Sequence, residues 1–304
     1  MLRRNFLAAL AATPLARAKQ RFPMSRISFI TDEAAATPAD AIAFCKQYGL
    51  NKVELRGVPG GKGHYGLIPD AEIKQAAKEL SDNGIKVSFL NTPFFKITLP
   101  GSEPVFRRPE TPENRDKRVA RHQAEFDRRK ESFQRAFQNC HVLGVNKMRV
   151  FSFLRVAEPR TVFQQTADVV GEMANLAGQE GIDLLVENET SCNVVTGSEV
   201  ADFLKLMPQK NVGFNWDPLN ETGLKEVPYP DGYAKLPKKR IWNVQVKGKS
   251  LLEPDEKLDW AGIFDALARD GYKGCVGLET HYFDGTKIEK SHLCMKEIRR
   301  ILES

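Results

Sequence analysis

Short apolar stretches alternate with amphipathic stretches along most of this chain. The clearest apolar stretch is GIDLLVENE at 181–189, which begins at a glycine, continues through aliphatic residues and ends in Glu187, Asn188 and Glu189. Such a run is typical of a parallel strand that is buried on both faces. A carboxylate directly after it is costly to bury unless another group pairs with it. Taken alone, this segment is also compatible with a strand that simply ends in solvent.

The same pattern recurs and predicts eight strands. They begin near Ile27, Lys52, Lys86, Lys147, Ile182, Val212, Ile241 and Cys275. All intervals but one are close to the roughly 30 residues that one βα unit needs. Eight such units predict an α/β protein with a single (β/α)8 TIM barrel over residues 24–304. A doubly wound open sheet is the alternative, but no glycine-rich phosphate fingerprint follows any predicted strand to favour it.

The segments between the strands have recognisable helix start and stop residues. Thr37 and Pro38 predict the N-terminus of the first helix, and Gly49 predicts its end. Ser198 is expected to cap the helix after the fifth strand. Asp259 is expected to start the helix before the eighth strand.

The interval between the third and fourth strands is much longer than one βα unit requires. Residues 93–123 contain several prolines and precede a long predicted helix that ends at Leu143. Loops that follow barrel strands lie at the face where barrel enzymes have their active sites. Segment 93–123 is therefore a candidate lid, although a packed surface insertion fits equally well.

The first residues form a separate segment. Met1–Arg4 is basic, Phe6–Ala12 is apolar, and Ala16–Ala18 has the small-x-small pattern of a cleavage site. The pair Arg3 and Arg4 resembles a twin-arginine export signal, although the residues around it match that signal only in part. We therefore expect residues 1–18 to be a signal peptide and the mature chain to be exported, in bacteria to the periplasm. A frayed N-terminus without function is the alternative.

Composition and charge narrow the range of partners. The chain has 304 residues, of which 41% are hydrophobic and 28% charged, as in ordinary globular proteins. No apolar run approaches the roughly 18 residues that span a bilayer, so stable membrane insertion is not expected. Without the three arginines of the leader, the formal charge falls from +6 to +3, which is too small for a nucleic-acid footprint. The five cysteines are scattered and predict neither a disulfide framework nor a zinc knuckle.

Acidic residues recur at the C-terminal ends of three predicted strands. Glu187 ends the fifth strand, Asp217 the sixth and Glu279 the eighth, and the amide Gln245 lies on the seventh. In a barrel, inward side chains at these ends meet around one axial pocket. Like charges that close together need a cation, and hard oxygen ligands suit Mn²⁺, Mg²⁺ or Zn²⁺. The sequence therefore predicts a divalent-metal site.

Six segments, in this order, resemble the xylose isomerase-like TIM-barrel superfamily, the sugar phosphate isomerase/epimerase group. They are FITDEA at Phe29–Ala34, VELR at Val53–Arg56, NTPFFK at Asn91–Lys96, VENE at Val186–Glu189, NWDPLN at Asn215–Asn220 and the long segment Leu258–Glu279. The resemblance extends over nearly the whole chain after the leader. It implies one divalent metal, with Mn²⁺ as the first expectation and Mg²⁺, Co²⁺ or Zn²⁺ as alternatives. The implied ligands are Glu187, Asp217, Gln245 and Glu279.

One of these positions departs from the family pattern. The family usually has a histidine of a His-x-Lys-Asp run on the seventh strand, whereas this chain has Gln245, followed by Val246, Lys247 and Gly248. A glutamine carbonyl binds a hard cation more weakly than imidazole does. His281 shares the face of Glu279 and could compensate.

The resemblance also implies a mechanism. The metal binds adjacent oxygens of an α-hydroxy carbonyl and stabilises the enediolate, while Glu187 and Glu279 remove and return the proton from opposite sides. Substrate contacts are expected from residues near the mouth of the barrel, each of which also fits a structural role: Glu54, Asn220, Lys247, His281 and His64. The expected partner is a small carbohydrate such as a ketose, and assembly into a homodimer or homotetramer is left open.

Three other functions are alternatives to a sugar isomerase. A DNA-repair endonuclease of the same superfamily needs many histidines at strand ends, and this chain has five in all, so no nucleic-acid partner is expected. A metal-dependent lyase or dehydratase acting on a keto-inositol or ketosugar begins with the same proton abstraction and stays open. A non-catalytic carbohydrate-binding barrel also stays open because of Gln245.

Overall fold

A computed structural model describes residues 22–106 and 108–304. The predicted export signal at 1–18 lies outside the described residues, so it stays a prediction. No helix in the described ranges is both long and apolar enough to cross a membrane. The five cysteines are all free.

Eight parallel strands form the centre of the protein. They are β1 Ile27–Phe29, β2 Lys52–Leu55, β3 Lys86–Leu90, β4 Lys147–Val150, β5 Asp183–Glu187, β6 Val212–Trp216, β7 Ile241–Lys247 and β8 Cys275–Glu279. From β2 onward each strand pairs with the next one along the chain, and β8 pairs with β1. A bridge between Ile30 and Glu54 joins the β1 side to β2 and completes the ring. The predicted (β/α)8 barrel is confirmed, and each strand begins at or next to its predicted position.

Helices surround this ring and connect the strands. The α-helices are α1 Thr31–Ala34, α2 Pro38–Tyr48, α3 Asp70–Asp82, α4 Pro112–Asp127, α5 Arg129–Leu143, α6 Phe163–Gln179, α7 Gly197–Lys205, α8 Pro218–Thr222, α9 Tyr233–Lys235, α10 Lys249–Leu252, α11 Trp260–Arg269 and α12 Lys287–Glu303. Short 3-10 turns lie at Met24–Arg26, Pro159–Val162, Lys238–Arg240 and Pro254–Glu256, and one π turn lies at Pro228–Gly232.

Three of the predicted helix ends are confirmed. The hydroxyl of Thr37 accepts the backbone N–H of Asp40, and Gly49 ends α2 with a left-handed φ of 65°. Such a φ favours glycine, because a side chain would be strained there. Asp259 caps α11 by accepting the N–H of Gly262 at 2.9 Å.

The predicted cap of α7 is wrong. Thr196, not Ser198, is the N-cap: its hydroxyl accepts the N–H of Glu199 at 3.2 Å. The Glu199 carboxylate in turn accepts the N–H of Thr196 at 3.1 Å. This reciprocal capping box satisfies two N–H groups at once, which a helix starting at Ser198 could not do.

The segment after β3 is only partly a loop. It is helical from Pro112, with Thr111 as the cap of α4, so residues 112–123 of the predicted loop at 93–123 belong to a helix. The long helix expected up to Leu143 is two helices, α4 and α5, separated at Arg128.

The interior of the barrel is unusually polar. A TIM-barrel interior is ordinarily filled by branched aliphatic side chains. Apart from Glu187, Lys247 and Glu279 at the strand ends, six inward positions of the strands are polar and at most 5% exposed: Ser28, Glu54, Arg149, Asn215, Asn243 and Gln245. Large apolar side chains such as Phe29, Trp216 and Trp260 are buried as well. The polar interior leads directly to the C-terminal ends of the strands.

Candidate active site

Three of the four predicted metal ligands come together at the C-terminal end of the barrel. Glu187 ends β5, Asp217 follows β6 and Glu279 ends β8. One carboxylate oxygen from each lies within 4.8 Å of the other two. The residues are 2%, 0% and 5% exposed. We call these three residues the carboxylate cluster.

Glu187 is held by two donors. Arg149, buried on β4, donates from Nη1 to Glu187 Oε2 at 3.0 Å, and Asn215 Nδ2 donates to the same oxygen at 2.6 Å. Burial raises the pKa of Glu187, and the positive charge of Arg149 opposes that rise. Because both contacts are made to Oε2, the other oxygen is the one available to a metal or a substrate proton.

Asp217 has a different environment at each oxygen. Oδ1 accepts the backbone N–H groups of Leu219 at 3.0 Å and Asn220 at 3.4 Å, so Asp217 is the N-cap of α8. Oδ2 lies 3.0 Å from Lys247 Nζ as an ion pair, but it accepts no well-aligned hydrogen bond in the described part of the chain. Burial raises the pKa of Asp217 to about 7, although Lys247 lowers it.

Asn188 fixes the backbone at Asp217. Its Oδ1 accepts the N–H of Asp217 at 2.7 Å, and its Nδ2 donates to the Asp217 carbonyl at 2.8 Å. Asn220 Nδ2 donates a hydrogen bond to the backbone carbonyl of Asn188 at 2.7 Å. Asn220 Oδ1 accepts a hydrogen bond from Lys247 Nζ at 2.7 Å. Asn220 and Lys247, two of the predicted substrate-binding residues, thus contact each other beside Asp217.

Glu279 contacts a network of charges on the β1 side. Arg56 Nη1 donates to Glu279 Oε1 at 3.0 Å, and the same guanidinium also pairs with Asp32 and Glu33. Burial alone would raise the pKa of Glu279, but His281, Lys247 and Arg56 hold it well below its usual range.

His281 lies at the rim of the cluster. Its Nδ1 is 3.6 Å from Glu279 Oε1 and its side chain is 37% exposed. The residue has a φ of 56°, and its backbone N–H donates to Glu33 Oε2 at 3.0 Å. Glu33, Glu279 and His281 form a second group of converging ligand atoms, into which Arg56 already donates.

Gln245 does not lie level with Glu279 on the sheet. It pairs with Gly277, whereas Lys247 pairs with Glu279. Its Oε1 accepts Asn215 Nδ2 at 2.9 Å, and its Nε2 donates to Glu54 and to Asn91. Its role as a fourth ligand stays a prediction. Glu54, predicted to bind substrate, is fully buried in the same amide network.

His64 is fixed next to this network. Its Nε2 contacts the Asn91 carbonyl at 2.8 Å, and its Nδ1 accepts the N–H of Gly66 at 3.1 Å. Because Nδ1 accepts and the carbonyl can only accept, the ring is the neutral Nε2–H tautomer. Burial and the nearby Arg149 lower the pKa of His64 to about 4. Both ring nitrogens are used, and a role in binding sugar stays a prediction.

Sequence reasoning missed three groups that hold the cluster. Arg149 had a signal, since a charged residue on an inward position of a buried strand is rare unless it is paired. Arg56 was visible in VELR, but its reach to Glu279 depends on the closure of the barrel. Asn188 acts through backbone groups of Asp217, which no sequence pattern identifies.

The carboxylate cluster fits a divalent cation. Its donors are hard oxygen ligands, which suit Mn²⁺ and Mg²⁺ and also occur in zinc sites. They converge from three strands, and the buried Asp217 Oδ2 contacts the Lys247 ammonium at 3.0 Å as an ion pair, with no further hydrogen bond in the described ranges. A carboxylate oxygen has two lone pairs, so this oxygen still has one to offer to a metal cation.

Comparisons with known proteins agree with this architecture. The family model described as xylose isomerase-like TIM barrel matches residues 42–298. None of the curated proteins matches the sequence significantly. Solved structures are similar in fold at low sequence identity.

Three of these structures superpose equally well. L-ribulose 3-epimerase has a TM-score of 0.65 and 17% identity, with 92% of this chain and 94% of that chain covered. The IolI protein with a binding zinc atom has a TM-score of 0.65 and 15% identity, covering 91% and 98%. The probable 3-DHS dehydratase AsbF of Bacillus anthracis has a TM-score of 0.65 and 15% identity, covering 90% and 98%.

Proposed function

The chain belongs to the xylose isomerase-like TIM-barrel family, and from this premise we propose that it is a metal-dependent isomerase or epimerase of a ketose or related carbohydrate. The observation that supports this most is the carboxylate cluster, in which three buried acids converge at the end of the barrel where such enzymes react. L-ribulose 3-epimerase, a sugar epimerase by name, has the same fold.

Glu187, Asp217 and Glu279 are the residues that would hold the metal, with Gln245 as the predicted fourth ligand. Bound there, a divalent ion would supply the Lewis-acid charge that stabilises an enediolate. Mn²⁺ is our first expectation, and the zinc atom in the IolI structure keeps Zn²⁺ as an alternative.

Proton transfer is assigned to Glu187 and Glu279. Glu187 ends β5 and Glu279 ends β8, three strands further around the ring, so the two carboxylates would approach a bound substrate from different directions. One carboxylate removes the proton next to the carbonyl, and the other returns a proton to the opposite face in an epimerisation. Their cationic partners Arg149 and Arg56 keep both carboxylates in position, and their burial keeps bulk water away from the reacting carbon.

Lys247 and Asn220 complete the proposed site. The Lys247 ammonium is buried next to Asp217, and its remaining hydrogens could bind a substrate oxygen. A carbonyl or hydroxyl oxygen placed near it would gain charge stabilisation that does not depend on solvent. Export to the periplasm, which we also propose, favours an unphosphorylated sugar as substrate, because phosphorylated sugars are mostly cytosolic.

A lyase is the second candidate, and one finding supports it. The probable 3-DHS dehydratase superposes with the same TM-score as the epimerase. Both reactions begin with removal of a proton next to a carbonyl. In the dehydratase, the electron pair then expels a β-hydroxyl group as water, whereas in the epimerase a proton returns. Mass analysis of the product distinguishes them, since only dehydration changes the mass of the sugar.

Metal binding is the first test. We expect the purified protein to contain a divalent metal and to melt at a higher temperature when Mn²⁺ is added. Asp217→Asn should lose most of that gain. Glu199→Gln is the matched control, because Glu199 is also a buried carboxylate that pairs with a basic side chain and accepts backbone N–H groups, but it lies outside the cluster. Wild-type protein without bound metal and without a thermal gain would contradict the proposal and favour a non-catalytic barrel.

A further inference from the structure

Glu54 is a buried acid to which the proposed chemistry gives no role. It is 0% exposed, and its partners are all uncharged. Oε1 accepts hydrogen bonds from Ser28 Oγ at 3.1 Å and from Asn243 Nδ2 at 3.0 Å. Oε2 accepts hydrogen bonds from Asn91 Nδ2 at 3.0 Å and from Gln245 Nε2 at 3.2 Å. Burying an ion in a protein costs several kcal/mol, so an aliphatic side chain would fill this space more favourably. Packing alone therefore does not account for Glu54.

The barrel wall makes room for this carboxylate. A Cβ atom added to Gly277 on β8 would lie 2.0 Å from Glu54 Oε1. No real Cβ contact is that short, so the glycine provides the space into which the acid extends. Strands β2 and β8 are thus both adapted to its presence.

Glu54 fixes the direction of the amides around it. Asn243, Asn91 and Gln245 each turn the NH₂ group toward Glu54 and the carbonyl away, so both carboxyl oxygens accept hydrogen bonds. The Gln245 carbonyl accordingly points to Asn215 and accepts its Nδ2 at 2.9 Å. The Asn215 carbonyl accepts Asn243 Nδ2 at 3.0 Å.

The last amide in this network contacts the catalytic carboxylate. One hydrogen of Asn215 Nδ2 is directed to Gln245, and the other is donated to Glu187 Oε2 at 2.6 Å. Both amide hydrogens of Asn243 and of Gln245 are also used within the network. No amide can reverse without leaving two acceptors or two donors face to face.

We propose that Glu54 is a positioning residue for Glu187. Its carboxylate orients the amides of Gln245, Asn243 and Asn215 so that Glu187 receives an N–H group instead of a carbonyl. The inference rests on the proposed function, in which Glu187 binds the metal and transfers the proton. It also explains why the barrel interior contains amides where aliphatic residues are usual.

The position of the Glu187 carboxylate depends on whether a hydrogen-bond donor or an acceptor faces it. With the present orientation, Asn215 and Arg149 both donate to Oε2 and fix the carboxylate. With Asn215 reversed, its carbonyl would face that oxygen, and two acceptors at hydrogen-bond distance repel each other. Glu187 would then move away from the position in which it meets Asp217 and Glu279.

Two substitutions at Glu54 separate positioning from packing. Glu54→Gln keeps the volume but replaces one acceptor by a donor, whereas Glu54→Asp keeps the acceptors but removes a methylene group. Positioning predicts that the Gln variant is the more damaging, and packing predicts the reverse. Ser28→Ala is the control, because it removes one donor to Glu54 and leaves all the amides in place.

The readouts are hydrogen exchange of the Asn215 side-chain amide, followed by NMR, and the dissociation constant for Mn²⁺. In Glu54→Gln we expect faster exchange and a metal affinity at least about tenfold weaker, the usual effect of losing a group that orients a ligand. Glu54→Asp and Ser28→Ala should stay within about threefold of the wild type.

Two results would overturn the positioning role of Glu54, and a third would contradict the proposed function instead. Unchanged exchange and affinity in Glu54→Gln, or a greater loss in Glu54→Asp than in Glu54→Gln, would overturn the inference. Absence of Mn²⁺ binding by the wild type would instead contradict the proposed function, and the exchange of the Asn215 amide would still test the positioning role separately.

Discussion

Arg149 Nη1 lies 3.0 Å from Glu187 Oε2, and both side chains are buried at the end of the barrel. The two residues come from the neighbouring strands β4 and β5, whose register is Arg149 opposite Leu185. Burial raises the pKa of Glu187, and the positive charge of Arg149 opposes that rise by favouring the charged carboxylate. The other two acids of the carboxylate cluster are paired in the same way, Asp217 with Lys247 and Glu279 with Arg56.

Loss of Arg149 should destabilise the fold as well as the site. Arg149→Met leaves Glu187 buried without its cation, and breaking a buried pair from one side costs about 3–5 kcal/mol. Arg149→Lys keeps the charge and should cost less. Urea unfolding of the three proteins measures this. A loss below about 1 kcal/mol in Arg149→Met would show that Glu187 does not depend on the pair.

Lys247 should affect metal binding through its charge. Its ammonium lies 3.0 Å from Asp217 Oδ2 and already compensates part of the negative charge of the carboxylate cluster. Lys247→Met should therefore lower the melting temperature without metal and increase the thermal gain that Mn²⁺ produces. Lys249→Met is the control, since Lys249 forms a half-exposed pair with Glu256 outside the cluster. Equal gains in wild type and Lys247→Met would contradict the charge argument.

Glu221 should make the stability of the protein depend on pH. It is buried beneath the turn at Pro228–Gly232, it accepts Trp216 Nε1, and it lies near Glu226. Burial and the neighbouring Glu226 raise the pKa of Glu221 to about 9. Between the pKa of Glu221 in the unfolded chain and its pKa of about 9 in the folded protein, the folded protein therefore binds more protons than the unfolded one. The stabilisation that Glu221 contributes is full below its pKa in the unfolded chain. It is lost as the pH rises through its pKa in the folded protein.

Unfolding measured at several pH values checks this. From about pH 5 to 9 the wild type should lose up to about 1.4 kcal/mol of stability per pH unit through this group. Glu221→Gln imitates the protonated acid and should have a flatter profile. Parallel profiles for the two proteins would mean that Glu221 ionises normally in the folded state.

The fold was predictable because its signals are local. The start of each strand, the cap at Thr37 and the cap at Asp259 follow from apolar runs and turn residues that act within a few positions. Ser198 was misassigned because two adjacent hydroxyl residues compete for the cap, and the reciprocal bond with Glu199 decides in favour of Thr196.

The acids of the site were predictable for a different reason. Barrel topology brings all strand ends to one place, so Glu187, Asp217 and Glu279 could be grouped without knowing any distance. Their partners were not predictable, because Arg56 reaches Glu279 across the closure of the barrel. The direction of the Gln245 amide also depends on contacts with two other strands.

Solvent hydrogen exchange into a sugar tests the central claim most directly, namely that Glu187 and Glu279 transfer a proton next to a carbonyl. The enzyme, loaded with Mn²⁺ in D₂O, is incubated with a panel of free ketoses, keto-glycosides and keto-inositols, and deuterium in the recovered sugar is measured by NMR. We predict deuterium at the carbon next to the carbonyl of at least one sugar, with a loss of about 10²-fold or more in Glu187→Gln and Glu279→Gln. Full exchange in Glu187→Gln would contradict the account.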